Sequence, residues 1–381
     1  MNGIYLDHAA TTPVHPEVAR IYAELLTSTY GNASSIHGTG RAARKLLDDS
    51  RAAIAGRIGA RPEEIIFTGG GTESDNFAIF GTAEARSDEG RHIITTEIEH
   101  HAVLNACKRL EKRGYEVTWL PVDQEGRVSP EDVRNALRDD TILVTIMAAN
   151  NEVGTIQPIG EIGEILKEHR AAFHTDAVQA FGEIPIDVGE LGVDLLSASA
   201  HKINGPKGIG FLYQKNGTKL IPPTSGGEQE RKRRAGTENV PGIAAFAKAA
   251  EIAHETLPER RERHGAFKHI MTGALEESRI AHRVNAGGAE TLPHILNLSF
   301  PGTDIESLLV NLDLAGIHVS SGSACTAGSI DPSHVLVAMY GDGAEELRNS
   351  VRFSFGYGLS EEDIWTATEK TAAVVRRLAG Q

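Results

Sequence analysis

The run EIIFTGGGTESDN, residues 64–76, reads as an apolar strand, three consecutive glycines and the start of a helix at Thr72. An apolar strand feeding a helix through a glycine turn is half of a βαβ unit, the building block of a mostly parallel sheet. Free backbone N–H groups at such a helix start can seat an anion, and glycines let it approach closely. The run is neither GxGxxG nor GxxxxGK[ST]. Alone it is equally well a tight strand-to-helix turn.

The same alternation continues on the C-terminal side. After EIIF (64–67), the segments HIITT (92–96), EVTWLP (116–121), ILVTIMA (142–148), AFHTDA (172–177), DLLSASA (194–200) and GIGFLYQ (208–214) read as further strands, seven in all. Several are nearly continuous apolar runs, as expected of strands covered on both faces. Amphipathic segments lie between them; Ile159, Ile162, Ile165 and Leu166 share one helical face. The expected fold class is α/β, with helices on both sides of a mostly parallel seven-stranded sheet.

The pattern changes after Pro241. Residues 241–280 read as long helix interrupted near Pro258. A smaller α+β unit follows: strand ILNLSF (295–300), a helix over 304–315 opened by Thr303-x-x-Glu306, strand SVRFSFG (350–356) and a last helix capped by Ser360. The expected division is a large domain over 14–257 and a small domain of 1–13 with 258–381.

Bulk properties narrow the function classes. The chain has 381 residues, enough for two or three domains, and a net charge of −14. That charge argues against extensive direct binding of nucleic acid. Two cysteines, Cys107 and Cys325, cannot make a disulfide framework and fit a reducing cytoplasm. The start MNGIYLDHAATTP lacks a signal-peptide pattern, and no apolar run approaches the ~18 residues of a membrane span.

Candidate chemistry gathers where strands end. Asp176, in HTDAVQAFG (174–182), closes an apolar strand, with Gln179 three residues on. A carboxylate at a strand end of an open sheet could hold a cationic ring nitrogen, or simply cap a helix. In SASAHKINGPKGIGF (197–211), Ser199, His201 and Lys202 stand where a strand passes into a Gly/Pro-rich loop. Partial burial there would make the lysine a usable nucleophile or Schiff-base former; the plainer reading is an exposed loop lysine. A phosphate cup at Gly71 and Thr72, a strand-end Asp and a strand-end Lys are what pyridoxal phosphate requires.

His100 and His101 sit at a strand-to-helix junction, but helix neighbours do not face one site, and no CxxC or HExxH accompanies them. No intrinsic metal site is expected. Asn150 and Asn151 follow another strand. Arg352 alternates with Val351 and Phe353, so it projects from one strand face, where it could clamp a carboxylate or make an ordinary ion pair. Cys325 lies in SSGSACTAGS (320–329), among residues too small and polar to bury a thiol. Cys107, in a helical run, reads as packed and inert. The run Arg231–Lys232–Arg233–Arg234 is a solvated charge cluster or a dock for an acidic partner.

Together with IYLDHAATTP (4–13), GNASSIHGTGR (31–41), EIEHHAV (97–103), NNEVGTIQP (150–158) and RRAGTENV (233–240), these motifs make the whole chain resemble the cysteine desulfurases. These are pyridoxal-phosphate enzymes of the class V aminotransferase group with the fold-type-I architecture. The resemblance implies that Lys202 carries the cofactor, that Gly71, Thr72, Ser199 and His201 seat its phosphate, and that Asp176 meets the pyridinium nitrogen. It further implies that Gln179 meets the ring hydroxyl, Asn151 touches cofactor and substrate, and His100 stacks on the ring and shares proton transfers. Arg352 would bind the substrate carboxylate and Cys325 would take the sulfur of L-cysteine as a persulfide. Thr237 would reach the phosphate of the other subunit of a homodimer.

The implied partner is a sulfur acceptor, either an iron–sulfur scaffold or a tRNA thiolation enzyme. With a scaffold, Cys325 could transiently ligate a shared cluster. Ala33 stands where the family usually has proline, and the Cys segment through SIDPSHVL is full length. The rival within catalysis is a selenocysteine lyase or another class V enzyme. The rival outside it is a non-catalytic iron–sulfur scaffold, for which two lone cysteines are a poor ligand set.

Overall fold

The protein is described from a computed structural model covering residues 3–321 and 332–380. Its strands are β1 (Ile4–Tyr5), β2 (Ile65–Thr68), β3 (His92–Thr96), β4 (Glu116–Leu120), β5 (Thr141–Thr145), β6 (Ala172–Asp176), β7 (Leu195–Ser199), β8 (Gly210–Gln214), β9 (Arg283–Val284), β10 (Ile295–Ser299), β11 (Ile317–His318) and β12 (Ser350–Ser354). Seven of them form the central sheet in the order β2-β8-β7-β6-β5-β3-β4. The β8 strand runs antiparallel to both its neighbours; the other four pairings are parallel. All seven expected strands are present, and β2, β3, β5, β6 and β7 are buried along their whole length. This explains their largely apolar character: helices cover both faces, so no residue is spared for solvent.

One apolar cluster joins Phe67, Phe173, Phe181, Phe211 and Phe246 across the sheet and its helices. A second joins Phe267, Phe300, Phe353 and Phe355 with Leu6, so the N-terminal segment packs with the C-terminal elements. There β10 pairs antiparallel with both β12 and β9, while β1 pairs parallel with β11. The long helical region divides into Val240–Glu255 and Leu257–Glu277, with Pro258 in the first turn of the second helix, where its missing N–H costs nothing.

Two local expectations need correction. The helix Ile305–Leu314 is capped by Asp304, whose carboxylate accepts the N–H groups of Glu306 and Ser307. Thr303 instead donates its hydroxyl to Phe300 O at 2.7 Å. A carboxylate is the stronger acceptor, and one residue of register decides which side chain faces the open N–H groups. The basic run 231–234 is only half solvated. Arg231 and Lys232 are exposed, but Arg234 pairs with Glu73 at 2.8 Å and Arg233 reaches Gln214 and Ile65 O. Glu230, just before the run, is buried. It accepts both terminal nitrogens of Arg51 at 2.6 Å and the N–H of Phe67 at 3.1 Å. The backbone there is left-handed at three successive non-glycine residues, Glu230 (φ 47°), Arg231 (φ 59°) and Lys232 (φ 69°).

Candidate functional site

Strands β2, β3, β5, β6 and β7 all point the same way, so their C-terminal ends open on one side of the sheet, where α/β proteins bind ligands. A cavity of about 500 Å³ lies there. Of the twelve residues expected from sequence to act, ten line it: Gly71, Thr72, His100, Asn151, Asp176, Gln179, Ser199, His201, Lys202 and Arg352. Thr237 is exposed and is not among its lining residues. Cys325, the twelfth, lies outside the described residues.

Lys202 ends the short 3-10 turn Ala200–Lys202 that follows β7. Its Nζ donates to Ala9 O (2.5 Å) and Ala10 O (2.9 Å). The N-terminal segment is stitched to this turn. Thr12 Oγ1 donates to His201 O and accepts from the N–H of Asn204. Burial, then the charge of Arg352, pushes the Lys202 ammonium down to about 8. Burial, then the neighbouring Lys202 charge, takes His201 down to about 4, so its ring is neutral; its Nδ1 lies 3.2 Å from Thr11 Oγ1.

At the glycine turn, Gly70 caps the helix Gly71–Ala85 with φ 147°, a conformation that side chains resist. A Cβ on Gly71 would come within 2.6 Å of Val178 Cγ2. The first N–H groups of this helix have no intrahelical acceptor, and Ser199 and His201 stand beside them in the cavity wall. Glu73 would repel an anion at this turn, but it is neutralised: its carboxylate accepts from Arg234 and from the N–H of Gly69 (2.7 Å). The turn therefore fits a phosphate.

Asp176 ends β6, with Oδ1 accepting the N–H of Val178 at 2.9 Å. Burial raises its pKa, and the charges of His100 and Lys202 with the Val178 N–H oppose that rise. Gln179 donates from Nε2 to Ala9 O at 2.9 Å, leaving its Oε1 for the cavity. His100 caps the helix His101–Glu111: its Nδ1 accepts the N–H of Ala102 at 3.1 Å. That bond requires a lone pair on Nδ1, so the neutral ring carries its proton on Nε2. The surrounding cavity wall desolvates the ring and lowers its pKa, against the charge of Asp176. His101 turns from His100 toward His334, with ring centroids 5.0 Å apart. The donor set of Asp176, Lys202 and the cup suits pyridoxal phosphate, with an acid for a ring cation, an amine for an aldehyde and open N–H groups for a phosphate.

Arg352, on β12, is 4 % exposed. It donates to Asp7 Oδ1, Ser320 Oγ and Asn151 O, each at 2.8 Å. Sequence reasoning missed Asp7 as its partner, and it missed two buried acids that line the cavity, Asp75 and Glu152. Asp7 carries no local signal, being 345 residues from Arg352. Asp75 carries none either, because its helix GTESDNFAIFGTAEA has polar residues on both its buried and its open sides. Cys107 is buried, as expected, and burial pushes its thiol pKa far up.

Comparison with known proteins follows the same line. Residues 4–366 match the family model "Aminotransferase class-V". A relative from Bacillus subtilis (strain 168), provisionally named cysteine desulfurase IscS 1, is 58% identical over 378 residues, covering 99% of this chain and 100% of its own length. A cysteine desulfurase IscS of Dictyoglomus turgidum is 48% identical, over 98% of this chain and 95% of its own. Among solved structures, a NifS-like protein superposes with a TM-score of 0.92 at 37% identity, covering 99% of this chain and 100% of that one.

Proposed function

This chain belongs to the aminotransferase class-V family and, within it, to the cysteine desulfurases, and on that premise we propose that it takes sulfur from L-cysteine as a persulfide on Cys325, releasing L-alanine. The observation that carries the reading is that Lys202, Asp176, Arg352 and the Gly71–Thr72 turn open on one cavity. Its cofactor would be pyridoxal phosphate. Gly71, Thr72, Ser199 and His201 would hold the phosphate, Asp176 the ring nitrogen, Gln179 the ring hydroxyl and Lys202 the aldehyde carbon, with Asn151 alongside. When bound, the cofactor supplies an electron sink that acidifies the Cα–H of an amino acid.

The chain's own groups do the rest. Arg352 binds the substrate carboxylate, having a planar fork already held by Asp7 and Ser320. Lys202, with a pKa near 8, has enough neutral amine at physiological pH to accept the Cα proton. His100, protonated on Nε2 when neutral, donates and recovers a proton without disturbing its cap. The Cys325 thiolate attacks the substrate Sγ: an S–S bond forms, the Cβ–S bond breaks, and its electron pair stays with the carbon that is protonated to the methyl of alanine.

Thr237, exposed and apart from this chain's cavity, would serve the phosphate of a second copy, making a homodimer. The large unit would span 14–257 and the small unit 1–13 with 258–381. The sulfur acceptor would be an iron–sulfur scaffold or a tRNA thiolation enzyme, in the cytoplasm; among the described residues no helix is long and apolar enough to cross a membrane.

The test is alanine formation from L-cysteine, together with the visible absorbance of purified protein and its bleaching by borohydride. Wild type should show all three, and Lys202→Ala should lose alanine formation and bleaching. Full turnover in Lys202→Ala would refute the reading.

A further inference from the structure

Behind Asp176 lies a carboxyl group that the reaction described above does not use. Asp75 sits in the second turn of the helix Gly71–Ala85, is 1 % exposed, and borders the cavity. Its Oδ1 has no hydrogen-bond partner among the described residues. One carboxylate oxygen each of Asp75 and Asp176 and a ring nitrogen of His100 lie within 4.8 Å of one another. Two carboxyls so close and so dry cannot both be ionised unless a cation lies between them.

Among the described residues no cation serves Asp75. The nearest candidate is His174 on β6, whose Nε2 is 3.7 Å from Asp75 Oδ1. But its ring nitrogens already face two hydroxyls, Thr145 Oγ1 at 2.8 Å and Ser197 Oγ at 3.0 Å. Burial takes its pKa down to about 3, so it is neutral. Ser197 on β7 offers Asp75 a hydroxyl and no charge. Glu99, after β3, adds only a further acid, itself raised to about 8 by burial. The Lys202 ammonium and the His100 ring act on Asp176, which also holds the Val178 N–H. Charge therefore settles on Asp176, while burial and then the Asp176 charge push the Asp75 carboxyl far up.

We propose that Asp75 is a positioning residue that stays protonated beside Asp176, so that the pair presents one negative charge to a cationic ring nitrogen. The proposal rests on the reading of Asp176 as the partner of that nitrogen. It has a sharp chemical corollary: Asp75 acts as a neutral donor, so an amide can replace it.

The experiment uses the full-length protein at neutral pH, with and without pyridoxal phosphate. Infrared difference spectra of wild type against Asp75→Asn should contain the deuterium-sensitive carbonyl stretch of an un-ionised carboxylic acid. Glu99→Gln should leave that band in place. Asp75→Asn should hold the cofactor within about threefold of wild type, whereas Asp75→Val, which has no donor, should weaken it at least about tenfold and shift its absorbance maximum. A carboxylate band in place of the acid band, or a change above about threefold in Asp75→Asn, would overturn the proposal. Asp176→Asn tests the underlying reading separately. If that variant binds the cofactor as wild type does, the assignment of Asp176 falls, while the infrared band still decides the protonation of Asp75.

Discussion

Replacing Arg51 with methionine should expose how the turn at 229–234 is held. The Glu230 carboxylate is buried against the Arg51 fork, with both contacts at 2.6 Å, and its remaining acceptor capacity goes to the Phe67 N–H. The guanidinium also lies 4.8 Å from the Phe67 ring centroid and donates to Ile65 O at 2.8 Å. Removing one partner of a buried pair strands the other charge, at a cost of about 3–5 kcal/mol. Against this stands the strain of three consecutive left-handed residues, each worth about 1–3 kcal/mol. Once its peg is gone, the turn relaxes and recovers part of that energy. The larger effect is therefore local: amide exchange at residues 229–236 should accelerate, and trypsin should cut after Arg231 or Lys232. At about 2.1 cal/mol/K per residue, 381 residues give an unfolding entropy of about 0.8 kcal/mol/K. A global loss of ~4 kcal/mol then lowers Tm by about 5 °C. The double variant Arg51→Met, Glu230→Met should recover at least half of that, because neither charge is then left buried alone. Calorimetry and hydrogen exchange read both effects. If Arg51→Met melts within about 1 °C of wild type and its exchange at 229–236 is unchanged, the pair does not hold the turn.

Other outcomes follow from the site. Cys325→Ser should bind cofactor and L-cysteine yet form no persulfide by mass spectrometry, while Cys107→Ser, at a buried position, keeps nearly full alanine production. The rate of cofactor capture by apo-protein should rise with pH as the neutral fraction of Lys202 grows, reach half its maximum at about pH 8 and level off about one to two units above; a rate still climbing steeply at pH 10 would contradict the depressed lysine. Arg352→Lys keeps the charge but loses the fork, so KM for L-cysteine should rise about tenfold or more with a smaller change in kcat. Mixed dimers of Lys202→Ala with Thr237→Ala should regain one intact site if Thr237 serves the partner copy; absence of complementation would confine each site to one chain.

What was legible in the sequence follows from the range of the forces involved. The strands announce themselves because burial on both faces leaves no solvent-facing positions in β5, β6 and β7, so charged residues are nearly absent from them. Lys202, Asp176 and the glycine turn were legible because each sits next to a strand end, a local signal. The Thr303 cap failed by one residue, since Asp304 supplies a better acceptor at the neighbouring position. Glu230 reads in sequence as one more charge in a polar stretch; only the approach of Arg51, 179 residues away, buries it. Asp75 needed its neighbours as well: nothing in TESDN says that the aspartate will lie close to another acid with no cation beside it among the described residues.

The N-terminal strap has a consequence for synthesis. Its Ala9 and Ala10 carbonyls hold Lys202, and its Asp7 carboxylate holds Arg352, 345 residues further along the chain. At roughly 5–20 residues per second, a ribosome needs about 20–70 s between the two. During that interval the strap has emerged, but β12 does not yet exist. A nascent chain can therefore build the glycine turn and the lysine well before it owns the arginine. Stalled chains that end before β12 should already capture the anionic cofactor, while the substrate-binding half of the cavity, which needs Arg352, closes last.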